Sequence, residues 1–155
     1  MRMVMRLLKS AAAAVVLATL LTSCDNNGAR GPFSLRLQPG VIEVATCATL
    51  AINQIDVDIR VKGSPNWRNV VRYDGRHRFQ PGDTFTLGQP VDGMDVVKNQ
   101  PISAKDLTEL SVRMFTAPDT PVQGGFVFPS GAETEWGHWL NTRPQVTAEP
   151  CSKNY

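Results

Sequence analysis

The sequence predicts an all-β protein, a single antiparallel β-sandwich of about eight short strands. Residues 54–62 alternate strictly between apolar and polar side chains, as in a strand with one buried and one solvated face. Such strands belong mostly to antiparallel sheets that are covered on one side. Further short apolar runs are separated by clusters of glycine, proline and aspartate, which is the pattern of a sandwich.

The predicted strands are short and end at turn-forming residues. In order, we place them at 33–37, 41–44, 54–62, 67–71, 76–79, 84–87, 110–115 and 125–128. The loop Tyr73-Asp74-Gly75 is expected to join the fourth and fifth strands in a hairpin, with glycine in the left-handed position. Residues 103–109 can start a turn of helix, capped by Ser103, that leads into the strand at 110–115.

Four arginines of the predicted hairpin form one candidate binding surface. One hairpin face would carry Arg68, Arg72, Arg76 and Arg78. The other face would carry Trp67, Val71, His77 and Phe79. Because like charges directly opposite each other are unfavourable, the arginine face invites acidic side chains of a third strand, a phospholipid headgroup or an acidic partner. The alternative is a solvated face that nearby Asp and Glu residues balance.

The C-terminal third, from Pro118 to Pro150, loses the alternation and is expected to form long irregular loops. It holds a second candidate binding group, Trp136, His138 and Trp139. Two tryptophans can stack on a sugar, a cation or a partner's side chain. The alternative is that one or both cap the core, because large aromatic residues dominate burial in small domains.

The N-terminal segment combines a basic start, an apolar centre and a cysteine. Arg2, Arg6 and Lys9 precede an uncharged run at 11–21, and no acidic residue occurs before Asp25. A membrane-spanning helix needs ~20 apolar residues, so this shorter run is better explained as a secretory signal.

Residues 21–24, Leu-Thr-Ser-Cys, resemble the lipobox of bacterial lipoproteins. The resemblance implies that residues 1–23 are removed and that Cys24 is acylated, with 24–32 as lipidated N-terminus and tether and 33–155 as the sandwich domain. Acyl chains in pairs hold a protein stably at a membrane. The expected location is the envelope of a Gram-negative bacterium, facing the periplasm. Asp25 resembles an inner-membrane retention signal and favours the inner membrane, with the outer membrane left open.

Two cysteines remain once Cys24 is assigned to the lipid. Cys47 and Cys151 form an even pair in an oxidising compartment, which predicts a disulfide between them. Two separate buried thiols or an intermolecular bond are the alternatives.

The near-neutral charge of the processed chain and the absence of known catalytic or metal-binding motifs exclude several classes of function from our expectation. Removing Arg2, Arg6 and Lys9 leaves thirteen of the sixteen Lys and Arg against fourteen Asp and Glu, whereas nucleic-acid binders are strongly basic. No nucleophile elbow, zinc-peptidase motif, phosphate loop or calcium loop occurs, so we expect no nucleic acid, catalytic residue, metal or cofactor.

These observations favour a non-catalytic binding or scaffolding lipoprotein, held at the membrane by its acylated N-terminus, that engages another envelope protein. An accessory subunit of a secretion or envelope machine would fit this description. An immunity lipoprotein that neutralises a periplasm-acting toxin is an alternative. A small hydrolase or glycan-binding accessory that uses the Trp136–Trp139 loop is an alternative of another class.

Overall fold

The computed structural model describes residues 31–117, 120–129, 131–132, 137–142 and 145–151. In chain order the strands are β1 (Phe33–Gln38), β2 (Val41–Thr46), β3 (Leu50–Val61), β4 (Arg68–Phe79), β5 (Thr84–Thr86), β6 (Met94–Asn99), β7 (Leu107–Ala117), β8 (Thr120–Val127), β9 (Trp139–Asn141) and β10 (Val146–Thr147). A short sheet has the order β10-β9-β1-β2-β5, and a long sheet has the order β6-β4-β3-β7-β8. Both sheets are antiparallel and pack together, which confirms the predicted all-β sandwich.

The alternating segment forms most of β3, the middle strand of the long sheet. Ile55, Val57 and Ile59 are buried against the short sheet, as their spacing predicts. Phe33, Leu35 and Leu37 of β1 face them from the other layer and are equally buried. The hydrophobic core therefore lies between the two sheets, and the polar positions of β3 lie on the outer face of the long sheet.

The predicted hairpin at 68–78 is wrong, because Arg68–Phe79 form one continuous strand of 12 residues. β4 pairs with β3 on one side and with β6 on the other, where Gly75 lies opposite Met94. Gly75 has a φ of 150°, and a Cβ atom there would come within 2.3 Å of the Gly93 carbonyl oxygen. The glycine therefore allows a close approach of two backbones and does not turn the chain.

Other differences from the prediction concern short elements. Residues 103–107 form two overlapping turns, in which the N–H groups of Asp106 and Leu107 donate to the Ser103 and Ala104 carbonyls at 3.4 Å, and no α-helix occurs in the described ranges. Strands β6, β9 and β10 are additional to the prediction, and β9 and β10 give the C-terminal third more order than expected.

The predicted disulfide is present. Cys47 and Cys151 are bonded, with a Cα–Cα distance of 5.4 Å, and the bond fastens the C-terminal segment to the end of β2. The Ser34 hydroxyl also donates a hydrogen bond to the Pro150 carbonyl, next to the disulfide. The last described residues are therefore held against the start of β1.

Tyr73 connects the two sheets inside the core. Its hydroxyl donates to the Thr86 carbonyl at 3.2 Å and accepts a hydrogen bond from the Gly88 N–H at 2.7 Å. Its ring meets the Phe85 ring edge-on, with centroids 6.0 Å apart. Burial raises the pKa of Tyr73 above its ordinary value of 10.0, because the phenolate is less stable away from water.

We expect Tyr73→Phe to lower the free energy of unfolding by about 1–2 kcal/mol, since the Gly88 N–H loses its partner. The unmodified chain should lose stability as the pH rises above about 10, because the unfolded state then releases a proton that the folded state retains. Tyr73→Phe should reduce that loss. Urea unfolding of both chains at neutral and alkaline pH measures both effects, and equal pH dependence of the two chains would contradict this assignment.

Candidate functional site

The outer face of the long sheet is the candidate functional surface. Strands β3, β4 and β7 in its middle are 11 or 12 residues long, whereas the strands of the short sheet have two to six residues. Cross-strand pairing arranges the outward side chains in rows from one end of the sheet to the other. Three groups on this face differ in charge and exposure: an ion-paired centre, a distal row and an arginine cleft.

The ion-paired centre consists of Asp56 and Asp58 on β3, Arg72 on β4 and Arg113 on β7. Arg113 contacts Asp58 at 2.7 Å and Asp56 at 3.5 Å, while Arg72 lies 3.6 Å from Asp56. Both carboxylates are largely buried, with 10% and 13% of their side chains exposed. Arg72 also lies 3.4 Å from Asp74. The charges of this centre therefore compensate one another. At Arg72 the structure agrees with the expectation that nearby acidic side chains balance the arginines, because Asp56 and Asp74 are its partners.

The distal row consists of Trp67, Arg60, Glu109 and Val127, at the end of the outer face where β3 turns into β4. The Arg60 guanidinium lies over the Trp67 ring, 4.7 Å from its centroid, and pairs with Glu109 at 2.7 Å. Trp67 is 44% exposed and Val127 is 49% exposed. A cation stacked on an accessible indole, with an exposed valine nearby, is a surface that can bind a protein side chain.

The placement of Trp67 on an apolar face with Val71 and Phe79 is wrong. A register shift at Val57/Asp58 leaves Val70 as an extra residue in β4, and both Val70 and Val71 are buried. Such a bulge moves every earlier side chain of the strand to the opposite face. Trp67 consequently lies outside. The adjacent valines are the sequence signal for this bulge.

The arginine cleft lies at the opposite end of the outer face. It is a shallow cleft of about 460 Å³. Its lining residues are Ala51, Ile52, Asn53, Arg76, His77, Arg78 and Thr116. Arg76 and Arg78 are exposed, and His77 is fixed by a hydrogen bond of 2.8 Å from its Nδ1–H to the Asp92 carbonyl.

Three of the four predicted arginines, Arg72, Arg76 and Arg78, lie on the outer face of the long sheet, whereas Arg68 pairs with the core-facing Ile59. Arg72 belongs to the ion-paired centre, Arg68 lies at the far end of β4, and Arg76 and Arg78 line the cleft. In the part of the chain that the structure describes, no carboxylate forms an ion pair with Arg68, Arg76 or Arg78. Arg36, Arg60, Arg72 and Arg113, by contrast, each have an acidic partner.

The predicted aromatic cluster is only partly described. His138 is exposed, whereas Trp139 is buried, with 6% of its surface accessible. Trp139 pairs with Arg36 across β1 and β9, and the Arg36 guanidinium lies 4.7 Å from its ring centroid. Trp139 therefore packs in the domain and does not offer an open stacking surface. Trp136 and Cys24 lie outside the described residues.

Comparisons of the chain with models of known families, with curated proteins and with solved structures gave no match. Within the described ranges, the structure contains no helix that is long and apolar enough to cross a membrane. Chemically, the described surface offers an exposed cation–aromatic pair at one end and two arginines without acidic partners at the other.

Proposed function

We propose that this chain is a lipid-anchored, non-catalytic binding lipoprotein of the Gram-negative envelope that engages another envelope protein through its distal row. The observation that carries the binding role is the exposed Trp67 ring with Arg60 stacked on it. Tryptophan and arginine are the residue types most enriched where protein interfaces gain their affinity. Glu109 holds Arg60 in place, so the pair is preorganised for a partner.

The anchor would place the domain at the membrane surface, where an envelope protein can be reached. The chain enters the sandwich at Gly31 and Pro32, where the Pro32 carbonyl accepts a hydrogen bond of 2.7 Å from the Cys47 N–H. Gly31 lies against Gln123 and Gly124 in the middle of β8, four residues along that strand from Val127. A lipid on Cys24 would therefore hold the domain at the membrane by a point between the two ends of the outer face.

The binding role predicts a position-dependent contact in cells. A photoreactive amino acid at position 127 of the acylated chain should give a discrete adduct with one envelope protein. Trp67→Ala in that chain should reduce the adduct about tenfold or more, since loss of a central tryptophan weakens binding by about 2 kcal/mol. Immunoblotting and mass spectrometry of the adduct measure this.

The controls use the opposite sheet and another exposed valine. Val146 on the short sheet is 55% exposed, and a photoreactive residue there should give no such adduct. Val97→Ala, at a residue that is 54% exposed on β6, should leave the adduct at position 127 unchanged. Equal adducts from positions 127 and 146, or an adduct insensitive to Trp67→Ala in a folded chain, would contradict the proposed surface.

A further inference from the structure

Arg76 and Arg78 are exposed and form no ion pair with a carboxylate of the described residues. They are separated by one residue on β4, so their side chains leave the same side of the strand. Asn53 of β3 and Thr116 of β7 add polar groups to the cleft that the two arginines line. Both arginine side chains are exposed and free to meet an anion, and guanidinium groups match phosphate oxygens through paired hydrogen bonds.

The chain enters the domain at Gly31, beside Gln123 and Gly124 in the middle of β8, and continues towards the end of the sandwich that carries the cleft. Pro32 is hydrogen-bonded to Cys47, and the four residues from Cys47 to Ala51 span at most about 14 Å. Ala51 pairs directly with Arg78 across β3 and β4. The seven residues from Cys24 to Gly31 reach at most about 25 Å. An acylated Cys24 would therefore hold Gly31 within about 25 Å of the lipid surface, which brings the cleft within reach of the headgroups.

We infer that Arg76 and Arg78 dock this end of the domain on the phosphate groups of anionic phospholipids in the anchoring membrane. The inference rests on the proposed lipid anchor, which supplies the short distance. Charge complementarity and the length of the tether favour the membrane over an acidic protein as the occupant. Docking fixes the orientation of the domain, so that Trp67 at the far end of the outer face is presented to a partner.

The test uses the acylated full-length mature chain on vesicles of phosphatidylcholine, with or without about 30% phosphatidylglycerol. Phenylglyoxal modifies accessible arginines, and mass spectrometry gives the rate at each position. We expect Arg76 and Arg78 to react about fivefold or more slowly on the vesicles with phosphatidylglycerol, because each basic residue near an anionic surface favours the docked state about fivefold. Arg68, exposed and unpaired at the other end of β4, is the internal control and should react equally on both.

Two further measurements complete the test: added inorganic phosphate distinguishes a free ion from a lipid headgroup, and flotation with vesicles distinguishes failure of the docking from failure of the anchor. Inorganic phosphate added to phosphatidylcholine vesicles should not protect the arginines, and equal protection by it would overturn docking on a membrane. Equal rates at Arg76 and Arg78 on both kinds of vesicle would also overturn docking. A chain that floats with phosphatidylcholine vesicles but shows no lipid-dependent protection refutes the docking alone, whereas a chain that does not float refutes the anchor as well.

Discussion

Replacing both Cys47 and Cys151 by alanine is expected to lower the free energy of unfolding by about 4–5 kcal/mol, the largest loss that we predict. The bond joins residues 104 positions apart, so it removes much of the freedom of the unfolded chain. It also holds the segment around Pro150 on β1, where the Ser34 hydroxyl donates to the Pro150 carbonyl. Without the bond, this C-terminal segment should separate first.

Urea unfolding of the oxidised, the reduced and the doubly substituted chain measures this contribution. The reduced chain and the doubly substituted chain should unfold at similar urea concentrations, well below the oxidised chain. Hydrogen exchange at residues 145–150 should rise before exchange in β3. A loss of less than about 1 kcal/mol would show that the bond joins segments that the core already holds together.

Gly75→Ala is expected to cost about 3 kcal/mol or more, the second largest effect. A Cβ atom would lie 2.3 Å from the Gly93 carbonyl oxygen and 2.7 Å from the Met94 Cα atom. Both are backbone atoms at the start of β6, where Met94 pairs with Gly75 and the Gly93 carbonyl accepts a hydrogen bond from the Arg76 N–H, so they cannot move without disturbing that pairing. Steric overpacking and an unfavourable φ of 150° add in the same direction.

Gly63→Ala is the matched control for this substitution. Gly63 also has a positive φ, of 80°, but no atom lies within 4 Å of a Cβ placed there. It should cost only the backbone preference, about 1–2 kcal/mol. Equilibrium unfolding of both variants gives the difference. If the two glycines cost the same, the close contact between β4 and β6 does not constrain the fold.

The sequence predicts the sandwich well where the physics is local. Ile55, Val57 and Ile59 alternate with polar residues over a length that only a strand explains, and turn residues such as Gly40, at a φ of 73°, mark where the chain reverses. The Cys47–Cys151 pairing was predictable because two cysteines remain once Cys24 is assigned to the lipid, in a compartment expected to be oxidising. These features need no knowledge of distant neighbours.

The predictions that were wrong concern residues whose position depends on pairing with a distant strand. Gly75 looks like a turn residue, but it lies inside a strand, where the absence of a side chain lets the backbone of Gly93 and Met94 come close. The extra residue Val70 shifts the strand register, which places Trp67 on the outer face and Arg68 opposite the core-facing Ile59. Neither the partner strand nor its register can be read from the sequence of β4 alone.

The candidate surface illustrates the same limit. Arg72 and Arg113 obtain acidic partners from a strand that lies elsewhere in the sequence, so their pairing depends on the order of the sheet. The pairing of Arg60 with Trp67 across a turn is closer in sequence, yet it depends on the bulge at Val70. Trp139 is of a residue type common in binding sites, but it lies on β9 opposite Arg36, whose guanidinium covers its ring, and it is buried.

Processing and lipidation at Cys24 test the central claim, that this domain works at a membrane surface, most directly. We expect mass spectrometry of the purified chain to find an N-terminal peptide that begins at Cys24 and carries the added mass of the acyl chains. Cys24→Ala should abolish that modification, leave an uncleaved or soluble form and remove the processed chain from the detergent phase. A processed, unacylated N-terminus in the unmodified chain, or a correctly processed Cys24→Ala chain that still partitions into detergent, would contradict the account.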